Sequence, residues 1–148
     1  MQYRAYGGPE VLELVDLPTP KPGAGQILIK VRAASINPVD WKIASGKIRL
    51  LMPARFPQIP GFDVAGEVTE VGPGVTEFQP GARVHARLDG GVGGACAEYT
   101  LAALPYVAPM PKDMDFATAA GLPLAGMTAL QGLRDQAQMP LSGATQRV

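Results

Sequence analysis

Apolar and polar residues alternate along several short stretches of this chain, and such alternation predicts β-strands. In residues 27–34 the apolar side chains of Ile27, Ile29, Val31 and Ala33 fall on one face, which makes this the clearest strand. The other stretches with a strand-like pattern are residues 11–17, 64–71, 83–86, 96–102 and 106–108. Turns rich in glycine and proline separate them, so the pattern is typical of a β-barrel or a β-sandwich.

Residues 59–74 form the stretch around which the rest is organised. It begins with a Pro-Gly bend, continues as a β-rich segment and ends in Gly-Pro-Gly. A glycine in the middle of a strand weakens it, so we expect Gly66 to mark a bulge or the close approach of another backbone or a ligand. Phe62 and Asp63 directly precede the strand, where scaffolds commonly present functional residues. We expect Asp63 to be a buried or helix-facing carboxylate.

A short helix is predicted after the 27–34 strand. Asn37 followed by Pro38 matches an N-cap with proline at the first helical position. Asp40 stands at the third position, where a carboxylate favours the helix N-terminus. The helix should run to about Ser45 and stop at Gly46.

The pattern becomes helical after Asp115. Asp115 can cap a helix over residues 116–120, Pro123 breaks or restarts it, and residues 124–137 contain good helix formers. An apolar stripe on this second part comprises Leu130, Leu133 and Ala137. Pro140 is expected to end the helix.

Composition excludes several classes of protein. The 148 residues carry thirteen acids and thirteen bases, and no block of charge suggests a nucleic-acid or membrane surface. No apolar run reaches the length of a membrane span, and the N-terminus lacks a secretory signal pattern. Cys96 is the only cysteine, so it cannot form an internal disulfide, and we expect a reducing, cytoplasmic location.

Five motifs occur in an order and spacing that carry a family resemblance. They are Gly8-Pro9 with Val11-Leu12, residues 35–42, residues 59–66, Ala97-Glu98-Tyr99 and residues 119–129. Taken together, they resemble the N-terminal part of a medium-chain dehydrogenase/reductase. The resemblance is to its zinc-independent branch of quinone oxidoreductases and enone reductases, and it extends over essentially the whole chain.

The resemblance implies a fold that is mainly β with short helices. Residues 1–115 should form a GroES-like, partly open β-barrel, which is the substrate-side catalytic domain. Residues 116–148 should be a helical linker and the first residues of a Rossmann domain. The rest of that nucleotide-binding domain and a returning C-terminal segment are missing. We therefore expect a truncated fragment that is inactive alone.

The sequence argues against a catalytic metal. Zinc-dependent relatives place a cysteine and a histidine at the positions that are Asn37 and Phe62 here. One histidine and one cysteine cannot build the usual tetrahedral site of nitrogen and sulfur ligands, and we expect His85 and Cys96 to be ordinary structural residues. Residues 90–94 are glycine-rich, but a strand and not a helix follows them, which favours a hairpin loop over a phosphate loop.

The resemblance also implies roles for individual residues. Lys42 matches a lysine that could orient the enolate oxygen electrostatically; the alternative is a solvated helix lysine. The cofactor-binding residues implied are Asn37, Asp40 and Thr128. Asn37 and Asp40 could instead be simple helix caps, and Thr128 could simply bond a preceding carbonyl. Phe62 and Trp41 are expected to line the substrate pocket.

The function implied is NADPH-dependent reduction of quinones or α,β-unsaturated ketones, by hydride transfer without a metal. The partners expected are a small-molecule substrate and further copies of the chain, with no nucleic acid and no membrane. The rival hypothesis is a non-catalytic GroES-like interaction module that self-associates through the helical surface after residue 116.

Overall fold

Five antiparallel strands form one sheet in the computed structural model, which describes residues 1–89 and 94–138. The strands are β1 (Gln26–Ser35), β2 (Asp63–Val71), β3 (Arg83–Arg87), β4 (Tyr99–Ala103) and β5 (Val107–Pro109). Their order across the sheet is β4-β1-β2-β3-β5. The helices are α1 (Pro38–Ala44), α2 (Phe116–Ala120) and α3 (Pro123–Leu130). The fold is thus mainly β with short helices and an open sheet, as the sequence predicts.

The pairing of β1 with β2 explains the glycine in the middle of β2. Gly66 is the partner of Val31, and the register shifts between Val31 and Ala33. A Cβ atom on Gly66 would lie 2.2 Å from the carbonyl oxygen of Lys30 and 2.7 Å from a methyl group of Ile29. Of the two alternatives, the close approach of another backbone is confirmed at Gly66, and the register shift lies opposite it in β1.

Two apolar clusters cover the two faces of the sheet. The first consists mainly of alternate residues from β1, β2 and β3, among them Ile27, Ile29, Val64, Val68 and Val84. The second packs Ala65 against Met110, Ala119 and Ala120. The beginning of β2 is therefore buried on both faces, which places Asp63 and its neighbours inside the molecule.

The two helices after residue 115 begin where the sequence predicts. The side chain of Asp115 accepts a hydrogen bond from the backbone N–H of Thr118 at 2.9 Å and so caps α2. Pro123 is the first residue of α3. The chain then continues through a π-helical turn at Gln131–Gln136.

The strand predicted at residues 11–17 does not form, so this prediction is wrong. Pro9–Val11 is a 3-10 turn, and Glu13 makes only an isolated bridge to Gln2. The side chain of Leu14 is 89% exposed. The alternating pattern is present, but within the described chain this segment finds no continuous strand to pair with.

The other differences are small. β4 begins at Tyr99 and not at Cys96, and the last strand, β5, is preceded by a 3-10 turn at Leu104–Tyr106. The predictions about the glycine-rich loop at 90–93 and about Pro140 lie outside the described residues. Among the described helices, none is long and apolar enough to cross a membrane.

Candidate functional site

The chain turns from β1 into α1 at Ser35, and the helix begins as predicted. Asn37 is the N-cap residue, with φ −106° and ψ 160°, and Pro38 is the first helical residue. The backbone N–H of Asn37 donates to Oδ2 of Asp40 at 2.6 Å. This bond is the acidic half of a capping box, and it fixes the first turn of α1.

The side chain of Asn37, besides its place in the capping box of α1, reaches Asp63. Its Nδ2 donates to Oδ2 of Asp63 at 3.0 Å, and the hydroxyl of Ser35 donates to the same oxygen at 3.4 Å. The backbone N–H of Leu124 lies 3.2 and 3.1 Å from the two carboxylate oxygens of Asp63. Asp63 therefore joins the start of β2 to the first turns of both α1 and α3.

Asp40 and Asp63 are two buried carboxylates in this network. Oδ1 of Asp40 accepts a hydrogen bond from the backbone N–H of Gly61 at 3.1 Å. Burial raises the pKa of both carboxyls above 3.8, because the charged form loses its hydration. The charge on Asp63 raises the pKa of Asp40 further, whereas hydrogen bonds from Asn37 and Leu124 work against the shift at Asp63. The burial expected for Asp63 is confirmed.

Lys42 and Trp41 lie on the exposed side of α1. The ammonium group of Lys42 is 5.8 Å from the centroid of the Trp41 ring, and that of Lys47 is 4.7 Å from it. Both lysines lie within the range of a cation–π interaction with this indole. Lys42 is thus accessible to a ligand, and it is carried by the helix that Asn37 and Asp40 hold in place.

Thr128 is exposed on α3, one turn after the residue that Asp63 binds. Its hydroxyl donates to the carbonyl oxygen of Leu124 at 2.7 Å, which is the intrahelical bond considered as the alternative. The oxygen of that hydroxyl can still accept a hydrogen bond. The structure therefore brings α1, which carries Lys42, and α3, which carries Thr128, to the same carboxylate.

Phe62 is 3% exposed, so its ring is buried in this chain. His85 Nδ1 lies 3.4 Å from the carbonyl oxygen of Ala119, and the backbone N–H of Cys96 donates to the carbonyl of Pro60. Within residues 1–89 and 94–138 no three His, Cys, Asp or Glu side chains come together as metal ligands.

A cleft of about 850 Å³ lies apart from Asp63 and from the candidate residues of α1 and α3. It runs between residues 14–20 and residues 95–99, and none of the candidate residues of α1 and α3 lines it.

Sequence reasoning missed the contact between Asp63 and Leu124. It joins residues 61 positions apart, so no local spacing reveals it. The available signals were an acid placed directly before a strand and a proline that leaves Leu124 as the second residue of a helix. An early backbone N–H of a helix needs an acceptor from outside the helix.

Comparison with known proteins identifies the fold. Residues 23–112 match the model of the alcohol dehydrogenase GroES-like domain. The chain belongs to this family. It corresponds to the N-terminal GroES-like part of the medium-chain dehydrogenases/reductases, and its relatives are quinone oxidoreductases and enone reductases.

Three relatives illustrate the match. The chloroplast envelope quinone oxidoreductase homolog of Arabidopsis thaliana is 46% identical over 144 residues, which are 97% of this chain and 44% of that protein. The chloroplastic NADPH-dependent alkenal/one oxidoreductase of Arabidopsis thaliana is 44% identical over 88% of this chain and 36% of its own length. The solved quinone oxidoreductase from Coxiella burnetii superimposes with a TM-score of 0.80 at 37% identity, over 93% of this chain and 44% of that one. The chain thus spans less than half the length of these relatives.

Proposed function

We propose that this chain supplies the substrate-side domain of an NADPH-dependent reductase of quinones or α,β-unsaturated ketones. The observation that carries the proposal is the pair of hydrogen-bonded connections from Asp63 to α1 and α3. They anchor the two helices that carry the exposed candidates Lys42 and Thr128. The relatives named above, which are quinone and alkenal/one oxidoreductases, support the same activity.

NADPH, when bound, supplies the hydride that adds to the β-carbon of an enone. The ammonium group of Lys42 stabilises the negative charge that develops on the substrate oxygen, and its location on an exposed helix face leaves it accessible. Trp41, also exposed, supplies an apolar surface beside it for the ring or alkene of the substrate. Phe62, which is buried in this chain, is proposed to line the same pocket.

The cofactor-binding residues divide into two kinds. Thr128 can contact the carboxamide of a nicotinamide, because its hydroxyl oxygen can accept a hydrogen bond while its proton is bound to Leu124. The carboxylate of Asp40 already binds Asn37 and Gly61, and the amide of Asn37 already binds Asp63. We therefore propose that Asn37 and Asp40 fix the wall of the cofactor site.

Hydride transfer without a metal belongs to the same proposal. Asn37 and Phe62 occupy the positions of two zinc ligands in the zinc-dependent relatives, and neither side chain is a zinc ligand. The preference for NADPH over NADH, a homo-oligomeric state and a reducing cytoplasmic location are further proposals. The lone Cys96 supports the last of them.

The domain division is proposed with residues 1–115 as the barrel and 116–148 as the beginning of the nucleotide-binding part.

The rival function, self-association as a non-catalytic module, is favoured by one observation. Exposed apolar side chains follow one another along the helical segment, namely Leu122, Met127, Leu130 and Leu133. Sedimentation of the 148-residue chain has to be combined with the activity of a fusion to a nucleotide-binding domain, because only the module forms a stable oligomer and lacks reductase activity in that fusion.

A chimera tests the proposed reductase directly. The matching N-terminal part of the Arabidopsis quinone oxidoreductase homolog is replaced by this chain, and NADPH oxidation is measured with quinone and enone substrates. Turnover by the chimera is the expected result. The isolated chain should show no turnover and no rise of Tm with NADPH, since most dinucleotide contacts come from the other domain. A folded chimera that binds NADPH but reduces neither substrate would refute the proposal.

A further inference from the structure

One segment of this electrically balanced chain contains bases and no acid. Residues 41–62 include Lys42, Lys47, Arg49 and Arg55, whereas all thirteen acidic residues lie outside the segment. Averaging over the whole chain hides this local excess of positive charge. All four cationic side chains are exposed in the structure. The segment therefore presents an anion-attracting surface to solvent.

The same segment exposes large apolar side chains. Leu50 and Leu51 are 95% and 85% exposed, and they stand at the end of a tight turn. Gly46, with φ +72°, ends the helical conformation, and backbone bonds from Arg49 to Gly46 and from Met52 to Ile48 close the turn. Two adjacent leucines that are both exposed at the tip of a turn form a contiguous apolar group. Such a group indicates a surface that interacts with a partner.

The segment is held on the barrel by Tyr6. Its hydroxyl accepts a hydrogen bond from the backbone N–H of Ala54 at 3.0 Å, and its ring lies 4.9 Å from that of Phe56 in an edge-to-face arrangement. On the other side, the ammonium group of Lys47 lies over the ring of Trp41 at 4.7 Å. The segment that carries the exposed residues of 41–56, hereafter the 41–56 surface, is thus anchored to the rest of the chain at Ala54 and Phe56.

We propose that the 41–56 surface binds the interface of an anionic lipid bilayer. Lys47, Arg49 and Arg55 contact lipid phosphate groups, and Leu50 and Leu51 insert among the acyl chains at the headgroup boundary. Binding is peripheral and needs no spanning helix. It goes beyond the reductase activity and does not depend on it, and it revises the expectation of no membrane partner.

Two other occupants fit the surface less well. A nucleic acid would satisfy the cations, but its phosphates offer nothing to two protruding leucines. A second copy of the same surface would bring four cations against four cations with no acid between them, which repels. An anionic bilayer matches both the charge and the apolar tip.

The test is co-sedimentation of the 148-residue chain with two kinds of vesicle, phosphatidylcholine mixed with phosphatidylglycerol and phosphatidylcholine alone. We expect binding to the mixed vesicles at low salt, and a loss of about tenfold or more in affinity at high salt or without the anionic lipid. The variants K47E/R49E and L50S/L51S should each lower affinity for the mixed vesicles by about tenfold or more.

Matched controls carry the same changes elsewhere. K21E/K112E alters the net charge equally, and L14S/L17S removes two other exposed leucines, so both should bind like the parent. Equal binding to both vesicles, or equal losses in test and control variants, would overturn the proposal. So would absence of vesicle binding by the folded chain, including the case in which it binds only a nucleic acid or only itself.

Discussion

Asp63 and Leu124 are joined by a hydrogen bond of 3.1 Å from the backbone N–H of Leu124 to the carboxylate of Asp63. Asp63 opens β2, and Leu124 lies in the first turn of α3. The same carboxylate accepts hydrogen bonds from Asn37 and Ser35 at the entrance to α1. One buried charge thereby sets the relative position of the two helices that carry the candidate residues.

Replacing Asp63 should detach α3 from the barrel. Asp63→Ala leaves the donors of Asn37, Ser35 and Leu124 without an acceptor, while it also removes the cost of burying a charge. We expect the free energy of unfolding to fall by about 3 kcal/mol. Urea unfolding followed by circular dichroism measures it. The same change at exposed Asp113 serves as the control, and equal effects at the two positions would contradict the assigned role.

Gly66 should tolerate no side chain. A Cβ in Gly66→Ala would meet the backbone oxygen of Lys30, so β1 and β2 must separate, at a cost of about 3 kcal/mol or more. Gly126→Ala is the matched control. Nothing lies within 4 Å of a Cβ at Gly126, which is exposed inside α3, and the change should stabilise the chain by about 0.5–1 kcal/mol. Thermal unfolding of both variants checks the predicted difference in sign.

Tyr3 should make the fold sensitive to alkali. Burial, with a smaller contribution from the charge of Asp40, raises the pKa of Tyr3 from 10.0 to about 12. Between these values the folded state keeps a proton that the unfolded state has lost, so stability falls as pH rises through this interval. The loss amounts to about 2 kcal/mol.

Tyr3→Phe removes that loss, because phenylalanine has no proton to give up. Urea unfolding at several values of pH between 10 and about 12 should therefore show a smaller decline for the variant than for the parent. Tyr106→Phe, at an exposed tyrosine, should leave the decline as it is. Parallel curves for Tyr3→Phe and the parent would show that Tyr3 titrates normally in the folded chain.

Lys42→Ala should affect chemistry more than cofactor binding. In the chimera with the Arabidopsis relative, the variant should lower kcat for enone reduction by about tenfold or more, because a charge facing the developing oxyanion is lost. The Kd for NADPH should change by less than about twofold. Lys112→Ala, at another exposed lysine, should change neither. If both parameters are untouched in Lys42→Ala, the residue is a solvated helix lysine.

Local features of the sequence were sufficient to predict much of this fold. Asn37, Pro38 and Asp40 predict the start of α1 because capping uses residues a few positions apart, and the same holds for Asp115 at α2. The close approach of β1 at Gly66 is predictable, since a glycine inside a strand usually marks a bulge or a close backbone contact. The strand predicted at residues 11–17 does not form. Alternation shows only that the side-chain pattern suits a strand, whereas a strand also requires a neighbour with free backbone groups.

The candidate site was predictable only in part, because it too depends on contacts between residues that are far apart in sequence. The motifs identify Lys42 and Thr128, but the acceptor that aligns their helices belongs to a strand that lies between them in sequence. Asn37 is the N-cap residue as predicted, and its side-chain amide also donates to Asp63, a contact that no local motif reveals. The positive charge of the 41–56 surface does not show in the net charge of the chain, because acidic residues elsewhere balance it.

The strand order β4-β1-β2-β3-β5 has a consequence for the chain during translation. β1 can pair with β2 as soon as Val71 has left the ribosome, but its other edge stays open until β4, which ends at Ala103, has emerged. An open strand edge recruits strands from neighbouring nascent chains. During the interval between these two points of synthesis, the free edge of β1 is therefore available for pairing with another nascent chain.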